Sequence, residues 1–112
     1  MNKLVVLWKD GDKVNAEHMI LMYTLNAKIR NWWDEVTLVI WGSSGRLVTE
    51  DEGIALIVKK MMEEGVIVRA CKACAEGMHT VEKLEDMGVD VVYIGKDFTD
   101  YLKNTDTQVI TL

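Results

Sequence analysis

The feature that most constrains this chain is a regular alternation of short apolar runs with helical patterns. The apolar runs occupy residues 4–8, 36–41, 66–71, 89–94 and 108–112 of the 112-residue sequence. Runs that are apolar at nearly every position are typical of strands buried on both faces of a parallel sheet. The order βαβαβαβαβ with short polar connections predicts a three-layer α/β/α sandwich with a mostly parallel, five-stranded sheet. The chain is short enough to form a single domain over residues 1–112.

The predicted helices differ in how apolar residues are spread around them. A helix over residues 15–31 is apolar on all sides at residues 19–23, which indicates that something besides the sheet covers it. We therefore expect a homo-oligomer. A capping box at Thr49 and Glu52 predicts the next helix, which Gly65 ends. Further helices are expected over residues 73–87 and after Asp97.

The charge balance argues against some partners. The chain has 18 Asp and Glu against 13 Lys and Arg, and its formal net charge is −5. Because the sequence has no basic stripe, we expect binding neither to nucleic acid nor to an anionic membrane. No apolar run is long enough to cross a bilayer, and the first residues do not resemble a signal peptide. With only two cysteines and no disulfide framework, the expected location is the cytoplasm.

The chemistry is expected where the third strand meets the following helix. Both cysteines, Cys71 and Cys74, lie there in a CxxC pattern. Free backbone N–H groups and the helix dipole stabilise negative charge at a helix start, and such a site lowers the pKa of a thiol. Ligands in open parallel sheets bind beyond the carboxyl ends of the strands. The residues expected at that edge as anion-binding or substrate-binding groups are Lys9, Gly42, Ser43, Arg46, Lys72 and Lys96.

The CxxC pair has several interpretations. A zinc site would need two further ligands, and the two histidines, His18 and His79, lie on different predicted helices, so no metal or cofactor is predicted. A thioredoxin-like redox pair is an alternative, although here the pair follows the third strand and not the first. The two cysteines could also be small buried residues without chemistry. The protein would then be an oligomer that binds a small ligand or a partner.

Several short segments together resemble the DsrE/DsrF-like family, which includes DsrE, TusD and the YchN-like proteins. These segments are Trp41-Gly42, Glu64-Gly65-Val66, Ala70-Cys71, Gly88-Val89 and Ile94-Gly95. Their order and spacing carry the resemblance, which covers nearly the whole chain.

This resemblance implies a small α/β/α subunit that forms oligomers, often trimers or hexamers. In the sulfur-relay members of the family, a cysteine after the third strand carries sulfane sulfur as a persulfide. Cys71 matches that position, whereas Cys74 has no certain counterpart. The resemblance therefore implies a sulfur-relay protein that receives sulfur from a donor protein and passes it to an acceptor thiol.

Overall fold

A computed structural model describes all 112 residues as five strands surrounded by helices. The strands are β1 (Lys3–Trp8), β2 (Glu35–Ile40), β3 (Ile67–Cys71), β4 (Asp90–Val92) and β5 (Thr107–Thr111). They form one sheet in the order β4-β3-β2-β1-β5, and every neighbouring pair is parallel. The predicted three-layer α/β/α fold is confirmed.

The helical segments connect consecutive strands. They are α1 (Lys13–Asn15), a π-helical turn (Ala16–Ile20), α2 (Leu21–Ile29), α3 (Ser44–Glu50), α4 (Glu52–Glu63), α5 (Lys72–Met78), α6 (Val81–Asp86) and α7 (Gly95–Lys103). The chain steps in one direction from β1 to β4, so right-handed crossovers place α1 to α6 on one face of the sheet. The return step from β4 to β5 runs the other way and places α7 on the opposite face.

The two faces have separate cores because side chains alternate along each strand. Leu4, Val6 and Trp8 of β1 belong to the large core beneath α1 to α6. Val5 belongs to a small cluster on the α7 face, which also contains Val39, Cys71 and Ile94. No residue of α7 is itself buried, so a single, loosely covered helix forms the third layer.

Four helix boundaries differ from the sequence prediction. The first helix is interrupted by its π turn, and Asp12 caps it through a hydrogen bond from the Asn15 amide to its carboxylate. Helix α4 is capped by Asp51 and not by Thr49, which lies inside α3. The helix predicted over residues 73–87 is two helices, because His79 adopts a left-handed conformation with φ 58°.

The last differing boundary is the start of α7. Asp97 lies in the first turn of this helix and is not its cap, which is Ile94. None of the helices is both long and apolar enough to cross a membrane.

Candidate functional site

Cys71 lies at the junction between β3 and α5, as the sequence predicts. It is the last residue of the strand and the N-cap of the helix, with extended backbone angles. Its Sγ accepts a hydrogen bond from the Cys74 amide at 3.4 Å. The sulfur thus occupies the place of a capping side-chain oxygen and lies against the free N–H groups of the first helical turn.

Burial opposes this stabilisation of a thiolate. Cys71 is 6% exposed, and this burial raises the pKa of its thiol. The hydrogen bond from the Cys74 amide lowers this pKa. The neighbouring Cys74 thiol raises it further, through its hydrogen bond and its charge. The expectation of a lowered pKa is therefore wrong for Cys71 in the single subunit, because desolvation disfavours the charged form more than the helix start favours it.

The two thiols are close and differently exposed. Both cysteines are free, and Cys71 is buried whereas Cys74 is half-buried. Both side chains line the same cleft, and the Cys74 thiol is one of the groups that raise the pKa of Cys71. This pair can exchange a proton, form a disulfide or pass a sulfur atom between its members.

A narrow cleft opens beside the pair. It has no room for a water molecule. Its walls include both cysteines and four small residues, Gly42, Gly45, Ala70 and Ala75, together with Ile40, Met78, Thr80 and Leu84. Pockets for metabolites are typically about 300–1,000 Å³. In this conformation the cleft therefore has room neither for a free ligand nor for a further sulfur atom, and its walls must move apart to admit either.

Gly42 is the one predicted anion-binding residue that lines this cleft. Its φ is +65°, and a Cβ there would lie 2.5 Å from the Lys9 carbonyl oxygen. The close approach is held by buried Ser44, whose Oγ lies 2.7 Å from the Trp8 carbonyl oxygen and 2.9 Å from that of Trp41. The ends of β1 and β2 are thereby fixed together at the wall of the cleft.

The predicted cationic groups do not line the cleft. Lys9 pairs with Asp10 at 3.2 Å, and Lys96 pairs with Asp100 at 3.1 Å. The Lys72 ammonium lies over the ring of Tyr93, 5.4 Å from its centroid.

Arg46 and Ser43 line a separate open depression with Gly11, Leu47 and Glu50. The prediction that these groups surround the Cys71 thiolate is not supported by their positions. Exposed lysines keep their charge in water and pair with the nearest carboxylate along the surface.

Sequence reasoning missed a polar network beneath α7. The Arg69 guanidinium donates from Nε to Asp90 at 3.0 Å and from Nη1 to the Tyr101 hydroxyl at 3.0 Å. Asp97 lies 3.5 Å from the same Nη1. Arg69 points to the same face of the sheet as Cys71, so this network anchors the helix that covers the thiol. The one sequence signal was a charge inside an otherwise apolar strand.

No group of three or more His, Cys, Asp or Glu side chains is arranged to hold a metal ion. His79 is exposed at the break between α5 and α6, and His18 is exposed in the π turn.

Comparison with known proteins gives the family but no activity. No family profile matches the chain, and no curated protein matches it. A solved structure of a protein of unknown function, MTH1491 from Methanobacterium thermoautotrophicum, is 19% identical with a TM-score of 0.67. That similarity covers 100% of both chains and shows the shared fold alone.

A second solved structure is much more similar. It is a conserved protein of unknown function, BT1422 from Bacteroides thetaiotaomicron, with 32% identity and a TM-score of 0.95. The match covers 99% of this chain and 95% of that one. The chain therefore belongs to the same family as this Bacteroides protein.

Proposed function

We propose that this protein is a sulfur carrier of the DsrE/DsrF type, which holds sulfane sulfur as a persulfide on Cys71. The observation that carries the proposal is the position of the Cys71 sulfur. It caps a helix with a backbone N–H donor at 3.4 Å, has a second thiol beside it, and borders a cleft walled by small residues. N–H donors at a helix start stabilise an anionic sulfur, whether thiolate or persulfide.

The loading step balances without an external oxidant. The Cys71 thiolate attacks the outer sulfur of a donor persulfide, a new S–S bond forms to Cys71, and the donor leaves as a thiolate. An acceptor thiolate then takes the outer sulfur by the same exchange. Without an acceptor, the Cys74 thiolate attacks the Cys71 sulfur, and a Cys71–Cys74 disulfide forms as hydrosulfide leaves.

The lack of an enclosed pocket disfavours the alternative of small-molecule binding. The three other depressions are open, and none of them is lined mainly by apolar residues. None combines an enclosed shape with converging polar groups, which small-molecule sites usually have. A CxxC redox switch is the second candidate, because both thiols are free and line the same cleft.

The proposal includes self-association. Met19 and Met22 remain 45% and 53% exposed, and Val14, Ile29 and Trp32 are exposed on the same helical segment and the turn that follows it. Apolar side chains grouped in this way favour contact with another protein surface. Trimers or hexamers are the assemblies that the family resemblance implies.

Mass spectrometry of the intact protein after treatment with a persulfide donor tests the carrier role. We expect one added sulfur atom on the Cys74→Ser variant and none on Cys71→Ser. If only the Cys71→Ser variant gained a sulfur atom, Cys74 would be the carrier. If neither variant gained sulfur while an exposed thiol on a control protein did, the proposal would be refuted.

The same experiment separates the two candidate functions. A redox switch predicts that mild oxidant removes two hydrogens from the unmodified protein and that a dithiol restores them. A carrier predicts that an acceptor thiol recovers the added sulfur.

A further inference from the structure

We infer that β5 is a self-pairing edge, and that two copies of this chain join through antiparallel β5 strands into one continuous sheet. β5 is an edge strand that pairs only with β1. Its sequence is Thr107-Gln108-Val109-Ile110-Thr111. This inference concerns assembly and does not rest on the chemistry of Cys71.

The backbone hydrogen bonds between β5 and β1 show which N–H and C=O groups of β5 point away from the sheet. The Lys3 amide donates to the Asp106 carbonyl, and the Leu112 amide donates to the Leu7 carbonyl. In a parallel ladder, alternate residues direct both backbone groups to the neighbouring strand. Residues 106, 108, 110 and 112 therefore face β1, and the backbone groups of Thr107, Val109 and Thr111 point away from the sheet.

These outward-facing backbone groups can pair with the same groups of a second copy that is related by a two-fold axis through Val109. In an antiparallel pair centred there, Val109 exchanges two hydrogen bonds with Val109 of the second copy. The Thr111 amide of each copy reaches the Thr107 carbonyl of the other. The Thr107 amide is already bonded to the Asn104 carbonyl at 3.2 Å, so the ladder ends there.

The side chains of β5 are also self-complementary. The same register places Thr107 opposite Thr111 and Gln108 opposite Ile110, with each pair on one face of the sheet. Cross-strand threonine pairs stabilise a sheet, and Ile110, which is 40% exposed, would be covered. These cross-strand pairs form when β5 meets a second β5 strand in this register. We therefore assign a second copy of the chain as the partner.

The distribution of charge also favours a second copy of the chain as the partner of β5. The chain carries a net charge of −5, so two copies repel over most of their surface. β5 has no charged residue, so pairing there opposes no like charges. The opposite edge strand, β4, is different, because it has three residues and Asp90 in an ion pair with Arg69. Exposed edges are commonly protected by Lys, Pro or a bulge, and β5 has none of these.

Sedimentation equilibrium of the whole chain, from nanomolar to high-micromolar concentration, tests the inference. We expect an assembly with an even number of copies, a condition that a hexamer satisfies and a trimer does not. Val109→Pro removes the outward amide and leaves the ladder to β1 intact, so the dissociation constant should rise about tenfold or more. Val109→Ala keeps the amide and is the matched control, with a much smaller effect. Thermal melting of each variant at low concentration confirms that the subunit itself is folded.

A charge pair tests the register. Thr107→Lys with Thr111→Glu places opposite charges across the two-fold axis and should preserve the assembly. Thr107→Lys with Thr111→Lys places like charges there and should weaken it. Hydrogen exchange gives a direct reading, since the Val109 and Thr111 amides should be protected only where the protein is assembled.

A monomer at every concentration would overturn the inference, and so would an odd-numbered assembly in which the Val109 and Thr111 amides exchange freely. An assembly unaffected by Val109→Pro would also overturn it, and would indicate that another surface joins the copies. These results are independent of whether Cys71 accepts sulfur.

Discussion

The close approach of Gly42 to the end of β1 makes Gly42→Ala the most informative stability test. Gly42 has a φ of +65°, a left-handed conformation that is disfavoured for an alanine by about 1–2 kcal/mol. The added Cβ would lie 2.5 Å from the Lys9 carbonyl oxygen, which is backbone and has little freedom to move. Forcing an extra methyl group into a packed site costs about 1–3 kcal/mol more. We therefore expect the free energy of unfolding to fall by about 2–5 kcal/mol.

Chemical denaturation at constant m-value measures this loss, and a thermal scan should show a fall in Tm of about 4 °C per kcal/mol for a chain of this size. Gly77→Ala is the matched control. Gly77 lies in α5, has no positive φ, and a Cβ there would meet nothing within 4 Å. Because alanine favours a helix over glycine, this variant should be up to about 1 kcal/mol more stable.

The same substitution should therefore change stability in opposite directions at two glycines of this chain. If Gly42→Ala lost less than about 1 kcal/mol, or if both variants were equally destabilised, the argument from strain and close contact would be refuted. Gly42 also walls the cleft beside Cys71, so its variant should change the rate at which that thiol is labelled.

Two further predictions concern Cys71 and the helix that covers it. In a Cys74→Ser variant, burial still raises the pKa of Cys71, so its alkylation rate should reach half of its maximum at a pH above about 8.5, the midpoint of an ordinary thiol. A midpoint near neutral pH would contradict this. Tyr101→Phe removes the hydroxyl that accepts a hydrogen bond from Arg69 at 3.0 Å, and should lower the free energy of unfolding by about 0.5–1.5 kcal/mol and speed hydrogen exchange in α7. The exchange prediction fails if α7 is unchanged while stability falls.

The strands could be predicted from the sequence because each is an uninterrupted apolar run, and burial on two faces leaves few other structures for such a run. The start of α3 could not be predicted from the sequence. Gly42-Ser43-Ser44-Gly45 has the composition of a loop, yet Ser44 begins a helix, and its buried hydroxyl bonds to the carbonyl of Trp8, which is 36 residues away in the sequence. Local propensity contains no information about that contact.

The candidate site was predictable in position but not in its electrostatics. Strand polarity places Cys71 at the carboxyl edge, and this follows from topology alone. Whether a lysine reaches the thiol depends on side-chain direction and on nearby carboxylates, such as Asp100 beside Lys96. The raised pKa depends on burial beneath Ile94 and its neighbours on the α7 face, which no local pattern reveals.

Burial of Cys71 and a carrier role are compatible once the geometry of a persulfide is considered. A buried thiol with a raised pKa is a poor general nucleophile, so indiscriminate oxidants and electrophiles in bulk solution react with it slowly. A persulfide extends the side chain by one S–S bond of about 2 Å, which moves the reactive sulfur away from the sheet while Cys71 stays in its capping position. The half-buried thiol of Cys74 lines the same cleft. Selectivity would then come from the partner surface that can reach this pair of thiols, and not from a highly reactive thiolate.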